Sequence, residues 1–143
     1  MNFCKNFKIT KVKAGAASAG TAVESDVVDM QGYEGVIFVT TIATANAGNY
    51  LKAQQGAIEA LSDAVDLAAT TVVATANAET VWLEVHKPSD RYVRAVVIRA
   101  GANTATGDIF AIRYNGRVKP ETNVTTDTIT GTLLISPAEL AIS

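Results

Sequence analysis

The residues best equipped for chemistry lie in "VWLEVHKPSDRYVRAVVIRA" (81–100), which carries the chain's only Trp, Trp82, and its only His, His86. Glu84, Asp90 and Arg91 stand close by, so a base, two acids and a cation fall within a short span. Ser-His-Asp or Cys-His catalysis needs a nucleophile, a base and an orienting acid in contact. Every base candidate reduces to His86, and strand alternation puts Glu84 on the same face as His86. No G-x-S-x-G elbow supplies a serine, and the single cysteine, Cys4, sits near the N-terminus. His86 therefore reads as a surface or interface histidine, and no catalytic residue is assigned.

Other site chemistries fare no better. One His and one Cys cannot supply the usual nitrogen and sulfur ligands of zinc. An oxygen-ligand calcium site would draw on Asp26, Asp29, Asp63 or Asp66, but no D-x-D-x-D-G loop holds them. The glycines are scattered and form neither G-x-x-x-x-G-K-[ST] nor G-x-G-x-x-G. The expectation is no metal and no cofactor. Arg91, Tyr92 and Arg94 interleave cation and aromatic, yet Tyr92 and Tyr114 alone do not make a base-stacking platform. No nucleic-acid partner is expected. Trp82, Tyr92 and Tyr114 together would suit the stacking face of a carbohydrate-binding sandwich, and that alternative stays open.

The elements that must position these residues are strands. "VIFVTTIAT" (36–44) is β-branched and aromatic. "TVWLEVHK" (80–87) alternates Val81, Leu83 and Val85 with Trp82, Glu84 and His86. "YVRAVVIRA" (92–100) separates Val93, Ala95 and Val97 from Arg94, Val96 and Ile98, and "GDIFAIRYN" (107–115) separates Ile109, Ala111 and Arg113 from Phe110, Ile112 and Tyr114. Weaker strand signals fall at 8–13, 23–30, 49–55, 69–75 and 129–135. Turn chemistry ("MQGYEG", "NAGN", "KPSD", "AGANTATG", "NGR") punctuates them every 8–12 residues, as in a sandwich or barrel. "QGAIEALSDAVDLA" (55–68) reads as a loop with at most a helical turn.

Pro88 lacks an N–H and steers Lys87 to extended geometry. So 81–100 is expected to be a hairpin with Val81, Leu83 and Val85 beside Val93, Ala95 and Val97. Several strands are apolar on both faces, which fits cover by a partner, a neighbouring subunit or a packed loop.

With 143 residues the chain is one domain's worth of protein, large enough to bury a core without disulfides or metal. It is 48% hydrophobic and 18% charged, which argues against disorder. A net charge of −2 excludes a generally basic nucleic-acid binder. The charges are segregated: Lys5, Lys8, Lys11 and Lys13 near the start, acids through the middle, then Arg91, Arg94, Arg99, Arg113, Arg117 and Lys119. Such a dipolar surface suits docking on a patterned partner or on copies of itself. No apolar leader or membrane span is seen, so synthesis in a cytoplasm without membrane partners is expected. "MNFCKNFKITKVKAGAASAG" reads as a flexible N-terminal arm or tether over 1–20, with a single sandwich domain over 21–143.

The stretches "SDVVDMQGYEGVIFVTTIATANAGNYLKAQQG", "ALSDAVDLAATTV", "VWLEVHKPSDRYVRAVVIRAGANTATGDIFAIRYNGRVKP" and "LLISPAEL" resemble a family of tailed-bacteriophage head decoration, or capsid cement, proteins. The likeness covers about residues 25–140 and rests on texture such as "QGYEGV", "AQQG" and "RYVR", with no catalytic signature. It implies a jelly-roll-like antiparallel β-sandwich on the outer surface of a phage head. It further implies a non-enzymatic structural role, clamping neighbouring major capsid protein subunits and pairing with other copies of itself in the virion. Another tail, neck or fibre-associated role is the near alternative. The contact residues expected from charge and aromatic spacing are Phe3, Lys5, Phe7, Lys8, Lys11, Lys13, Arg91, Arg94, Arg117 and Lys119.

Overall fold

The computed structural model describes residues 2–123, 125, 126 and 128–134. One helical turn, α1 (Phe3–Asn6), precedes twelve strand segments. These are β1 (Phe7–Lys13), β2 (Ala16–Ala19), β3 (Val23–Glu24), β4 (Val28–Asp29), β5 (Gly35–Ile42), β6 (Asn49–Gly56), β7 (Val65–Asp66), β8 (Val72–Val73), β9 (Glu79–His86), β10 (Tyr92–Arg99), β11 (Thr104–Thr106) and β12 (Ile109–Tyr114).

Four pairs of segments are halves of interrupted strands, because both halves pair with the same neighbouring path. Thus β1 and β2 run along β12 and β11, β3 and β4 share β10, and β7 and β8 share β6. Twelve segments less four joins leaves eight strands. Sheet A has the order β1/β2, β12/β11, β5, β9, and sheet B has β3/β4, β10, β6, β7/β8. Counted along the chain, the strands of the two sheets run 1-8-3-6 and 2-7-4-5. Every ladder is antiparallel. This is the jelly-roll arrangement.

Alternation builds the core. Val36, Phe38 and Ile42 of β5, Val81, Leu83 and Val85 of β9, and Ile109 and Ala111 of β12 point inward from sheet A. Leu51 and Ala53 of β6 and Val93, Ala95 and Val97 of β10 face them from sheet B. The side chains are small, and Phe38 is the single aromatic ring fully buried among the described residues. Arg99 ties the sheets at one end: its guanidinium donates to the carbonyls of Thr21 (2.6 Å), Ala17 (2.8 Å) and Thr104 (2.8 Å). A buried cation with its donors so occupied is held in place without a carboxylate.

Three expectations need correction. The stretch 81–100 is not a hairpin: β9 pairs β5 in sheet A, whereas β10 pairs β6, β3 and β4 in sheet B. The inward residues are as expected, but they meet across the core, and "KPSD" carries the chain from one sheet to the other. Lys87 there has φ 53, left-handed rather than extended. Second, residues 7–19 are not a tether. Phe7–Lys13 pairs with β12 and Ala16–Ala19 with β11, and Val12 enters the core. The alternating apolar positions Phe7 and Ile9 behave as a strand's face, and Gly15 lets the kink pass close to Thr106, whose carbonyl would lie 2.9 Å from a Cβ there. Third, the candidate strand at 129–135 is no strand over 129–134, and residue 135 lies outside the described residues, as does most of "LLISPAEL". The loop reading of 55–68 holds only for residues 57–64, which form turns: β6 extends through Gly56, and Val65–Asp66 is strand β7, paired with β6.

Candidate functional site

The polar residues on the outer face of sheet B link to one another, beside an apolar row of Ile98, Tyr50 and Val73. Arg94 reaches Glu24 at 3.1 Å and donates to Gln54 at 2.9 Å. Gln54 donates to Asp66 at 2.8 Å, and Lys52 binds the other oxygen of Asp66 at 2.8 Å. These links run from the β3 edge across β10 and β6 to β7. Val96 lies between Glu24 and Lys52 in register and is only 3% exposed. The aliphatic stems of long polar side chains cover it, so the two-sided apolarity of β10 is resolved within the chain. At the margin Arg91 forks onto both oxygens of Asp29 at 2.9 and 2.8 Å. That charge-assisted pair holds the Asp29 carboxyl down to about 2, against a smaller opposing effect of burial.

Sheet A is finished differently. Its outward positions form rows across the strands: Trp82, Val39, Phe110 and Lys11 in one, Glu84, Ile37, Ile112 and Ile9 in the next, His86, Gly35, Tyr114 and Phe7 in the third. The centre is aliphatic. Trp82 is 61% exposed, and Phe3, stacked on Phe7 with ring centres 4.9 Å apart, extends the aromatic margin. Charged groups are confined to the two sides, Glu84 on the β9 side and Lys11, paired with Asp108 at 3.1 Å, on the β1 side. Large contiguous apolar patches are the kind of surface that proteins use for contacts.

Gly35 explains the third row. A Cβ at that position would run into the Tyr114 ring, so the glycine lets the ring lie flat over the backbone of β5. The Tyr114 hydroxyl then lies 2.8 Å from His86 Nδ1, with the planes of the two rings almost parallel, 8° apart. His86 Nε2 is 3.4 Å from Glu34, and Glu34 also accepts from Asn115. The acid beside the imidazole nitrogen is thus Glu34, contributed by the segment before β5, and not the strand neighbour Glu84. Burial first, and then the charge of Glu84, push Tyr114 up to about 12. A nucleophilic hydroxyl needs the opposite shift or an activating base. This cluster locks a proton on the tyrosine.

Among the described residues no group of three His, Cys, Asp or Glu side chains could hold a metal ion. An open cleft of about 640 Å³ lies at one end of the sandwich, lined by Gln31, Tyr33, Glu34, Lys87, Asp90 and Arg91 among others. Arg91 is paired there with Asp29 and Lys87 with Glu34 at 4.0 Å, whereas Asp90 and Arg117, also on the lining, form no ion pair among the described residues.

The contact residues expected from sequence are dispersed. Phe3, Lys5, Phe7, Lys8 and Lys11 line the β1 side of sheet A, where Lys8 donates to the carbonyl of Thr122, and Lys13 is exposed at the end of β1. Arg91 and Arg94 belong to sheet B and are tied to its acids. Arg117 and Lys119 are exposed in the loop after β12, with Lys119 donating to Asn115 at 3.2 Å. Trp82 and Tyr114 share the outer face of sheet A, but Tyr92 stands on sheet B with Arg91 over its ring. The three-aromatic platform is therefore not assembled. What sequence reasoning missed is the aliphatic centre, Ile9, Ile37, Val39 and Ile112. Period-2 alternation signalled each residue, but only the pairing of β1, β12 and β5 makes them neighbours.

No family model matches the chain, and no curated protein matches it. Among solved structures it is similar to a chain of the disulfide-linked pili that form Bacillus endospore appendages, with TM-score 0.41 and 17% identity over 78% of this chain and 89% of that one. It is also similar to the Clostridium thermocellum endo-1,4-β-D-xylanase 10B CBM22-1–GH10 modules complexed with xylohexaose, with TM-score 0.43 and 14% identity over 85% of this chain. The chain spans 29% of that protein. Neither is a phage head protein, and likenesses this distant leave the chain's own geometry to carry its function.

Proposed function

We propose that this jelly roll is a non-enzymatic structural protein that works by docking, and that its assembly is the surface of a tailed-phage head. The observation that carries the docking reading is the contrast between the two outer faces. Sheet B links Arg94, Gln54, Asp66 and Lys52 across its outer face and confines its apolar residues there to one row, Ile98, Tyr50 and Val73, beside the covered Val96, whereas sheet A presents Trp82, Phe110 and an isoleucine-rich centre. A protein whose working state is covered on one face needs no finish there. The phage-head reading rests on the sequence resemblance, and the dispersed cations Lys5, Lys13, Arg117 and Lys119 suit an acidic shell surface. Repetition around a shell lets individually weak contacts act together.

The test is cosedimentation with phage heads stripped of their decoration protein. Saturable binding, weakened by reversing Lys5, Lys13, Arg117 and Lys119 to Glu, is expected. Absence of binding at any protein concentration contradicts the phage-head reading. Truncating residues 1–13 is unsuitable, because β1 is part of sheet A and Val12 part of the core.

A second reading, glycan binding, is favoured by Trp82 and Tyr114 sharing one outer face. Stacked sugars also need hydrogen-bonding groups around the rings, and here the space between the aromatics is filled by Val39, Ile37 and Ile112. Titration of Trp82 fluorescence with xylan and chitin oligosaccharides tests it, and the docking account expects no change.

A further inference from the structure

We infer that the β9 edge of sheet A takes up an extended, basic segment of another protein, which adds to the sheet as a further strand. The inference goes beyond the docking reading, which concerns the face of that sheet and not its edge. Backbone groups along a sheet edge are unpaired unless something covers them, and proteins blunt long edges with breaks, lysines or prolines. Three of the four edges of the two sheets are treated that way. On β1/β2 the ladder shifts register between Lys11 and Lys13, and Asn123 bonds the free side of Phe7 and Ile9. The β3/β4 edge and the β7/β8 edge are each broken into two dipeptides. The exception is β9. It pairs with β5 in unbroken register from Glu79 to His86 and contains no Lys, Arg or Pro.

The ladder fixes what that edge can bind. Gly107 donates to the carbonyl of Thr41 (2.9 Å) and Ala43 to that of Ala105 (3.1 Å), so the odd-numbered residues of β5 bond toward β11 and β12. Its even-numbered residues therefore bond to Val81, Leu83 and Val85, in line with Lys87 donating to Glu34 at 2.8 Å. The N–H and C=O groups of Thr80, Trp82, Glu84 and His86 point the other way, and none of them is bonded among the described residues. Donors and acceptors at that spacing match the backbone of an extended polypeptide. The charges select which polypeptide. Neither Glu84, exposed two residues from Trp82 on the same side, nor Glu79 has a cationic partner among the described residues. A second copy is a poor occupant. Its other edges are broken or covered, which leaves β9 against β9, and that pairing brings the acids of both strands together without a Lys or Arg. A segment with an apolar residue beside Trp82 and a Lys or Arg two positions along, beside Glu84, suits both.

Amide hydrogen exchange of the full chain, resolved by NMR, tests the inference with a peptide probe. The probe is about nine residues long, with threonine at every second position and valine and lysine taking turns between. In the free, dilute protein the amides of Val81, Leu83 and Val85 should exchange slowly, and those of Trp82, Glu84 and His86 fast. Peptide at about ten times its Kd should slow the second set roughly tenfold. Glutamate for lysine in the peptide should weaken binding several-fold. Glu84→Lys in the protein should reverse the preference between the two peptides, with the melting temperature close to wild type because the side chain is exposed. Slow exchange of Trp82, Glu84 and His86 in the free protein overturns the inference, since the edge is then already covered. So does a peptide that leaves those amides unprotected at a concentration on the order of 1 mM, and so does binding indifferent to both charge exchanges. Protection that grows with protein concentration alone makes a second copy the occupant and overturns it as well. Cosedimentation with stripped heads stands apart from all of these results, because it reads the docking account and not the edge.

Discussion

Two side chains make the electrostatics of single residues measurable. Arg91 holds Asp29 down to about 2, against 3.8 for an unfolded carboxyl. A depressed folded value contributes stability that is complete above the unfolded value and lost as pH falls through the folded one. The contribution should therefore be whole above about pH 4 and gone near pH 2. Asp29→Asn is expected to lower the melting temperature at pH 7, with the deficit vanishing as the pH approaches 2. A deficit constant across pH would show that the Arg91 pair is not its source. Tyr114 behaves in the opposite sense. Its value rises from 10.0 to about 12, so the folded state is the one that keeps the proton, and stability should fall as pH rises between those limits. Ultraviolet titration should show a tyrosine ionising near 12 that is absent in Tyr114→Phe. Glu84→Gln should bring it down, because the carboxylate charge beside the hydroxyl is removed. An unchanged midpoint in that variant would mean burial alone is responsible.

The strands show what alternation can and cannot reveal. The inward faces of β9 and β10 were legible in the sequence from their period of two, whereas the run that forms β5 is apolar at nearly every position and showed no inward face. Phe38, fully buried on the inner side of β5, should cost about 3–5 kcal/mol when cut to Ala, read by urea denaturation. Partner choice was not legible. The residues "KPSD" end a strand equally well before a hairpin turn or before a crossing between sheets, and only the long-range ladders β5–β9 and β6–β10 decide. The same limit turned residues 7–19 into an apparent tether. Four lysines and a run of small residues resemble solvated chain until β12 and β11 are seen to pair with them. Nor was the protection of that edge visible. Asn123 donates to the carbonyls of Phe7 (2.6 Å) and Cys4 (3.1 Å) and accepts from the amide of Ile9 (3.1 Å), substituting for a neighbouring strand. Asn123→Ala should cost about 1–2 kcal/mol and speed hydrogen exchange at the Ile9 amide. Unaltered exchange there would mean the edge is held by other contacts.

At the scale of the molecule, the jelly roll is a scaffold with unequal faces. Sheet B has Arg94, Gln54, Asp66 and Lys52 linked across its outer face beside Val96, and exposes apolar surface at its edge, at Val65 and Val73. Sheet A keeps Trp82 exposed beside an aliphatic centre, and the sequence carried strands apolar on both sides without showing which face was open. Charge segregation along the chain was informative in a similarly partial way. Much of it is spent internally, on Arg91 with Asp29, Arg94 with Glu24 and Arg99 with backbone carbonyls. Lys11 is likewise spent on Asp108, so what remains outside is Glu84 on the β9 side of the apolar face, together with the exposed cations near the N-terminus and after β12.

The chain's only tryptophan is also the centre of the claim, so Trp82 fluorescence reports on it directly. In dilute protein the emission should be that of a water-exposed indole, readily quenched by acrylamide. As stripped phage heads are added, the emission should shift to shorter wavelength and quenching should fall. A Trp82 that stays fully quenchable with saturating heads present would contradict the account.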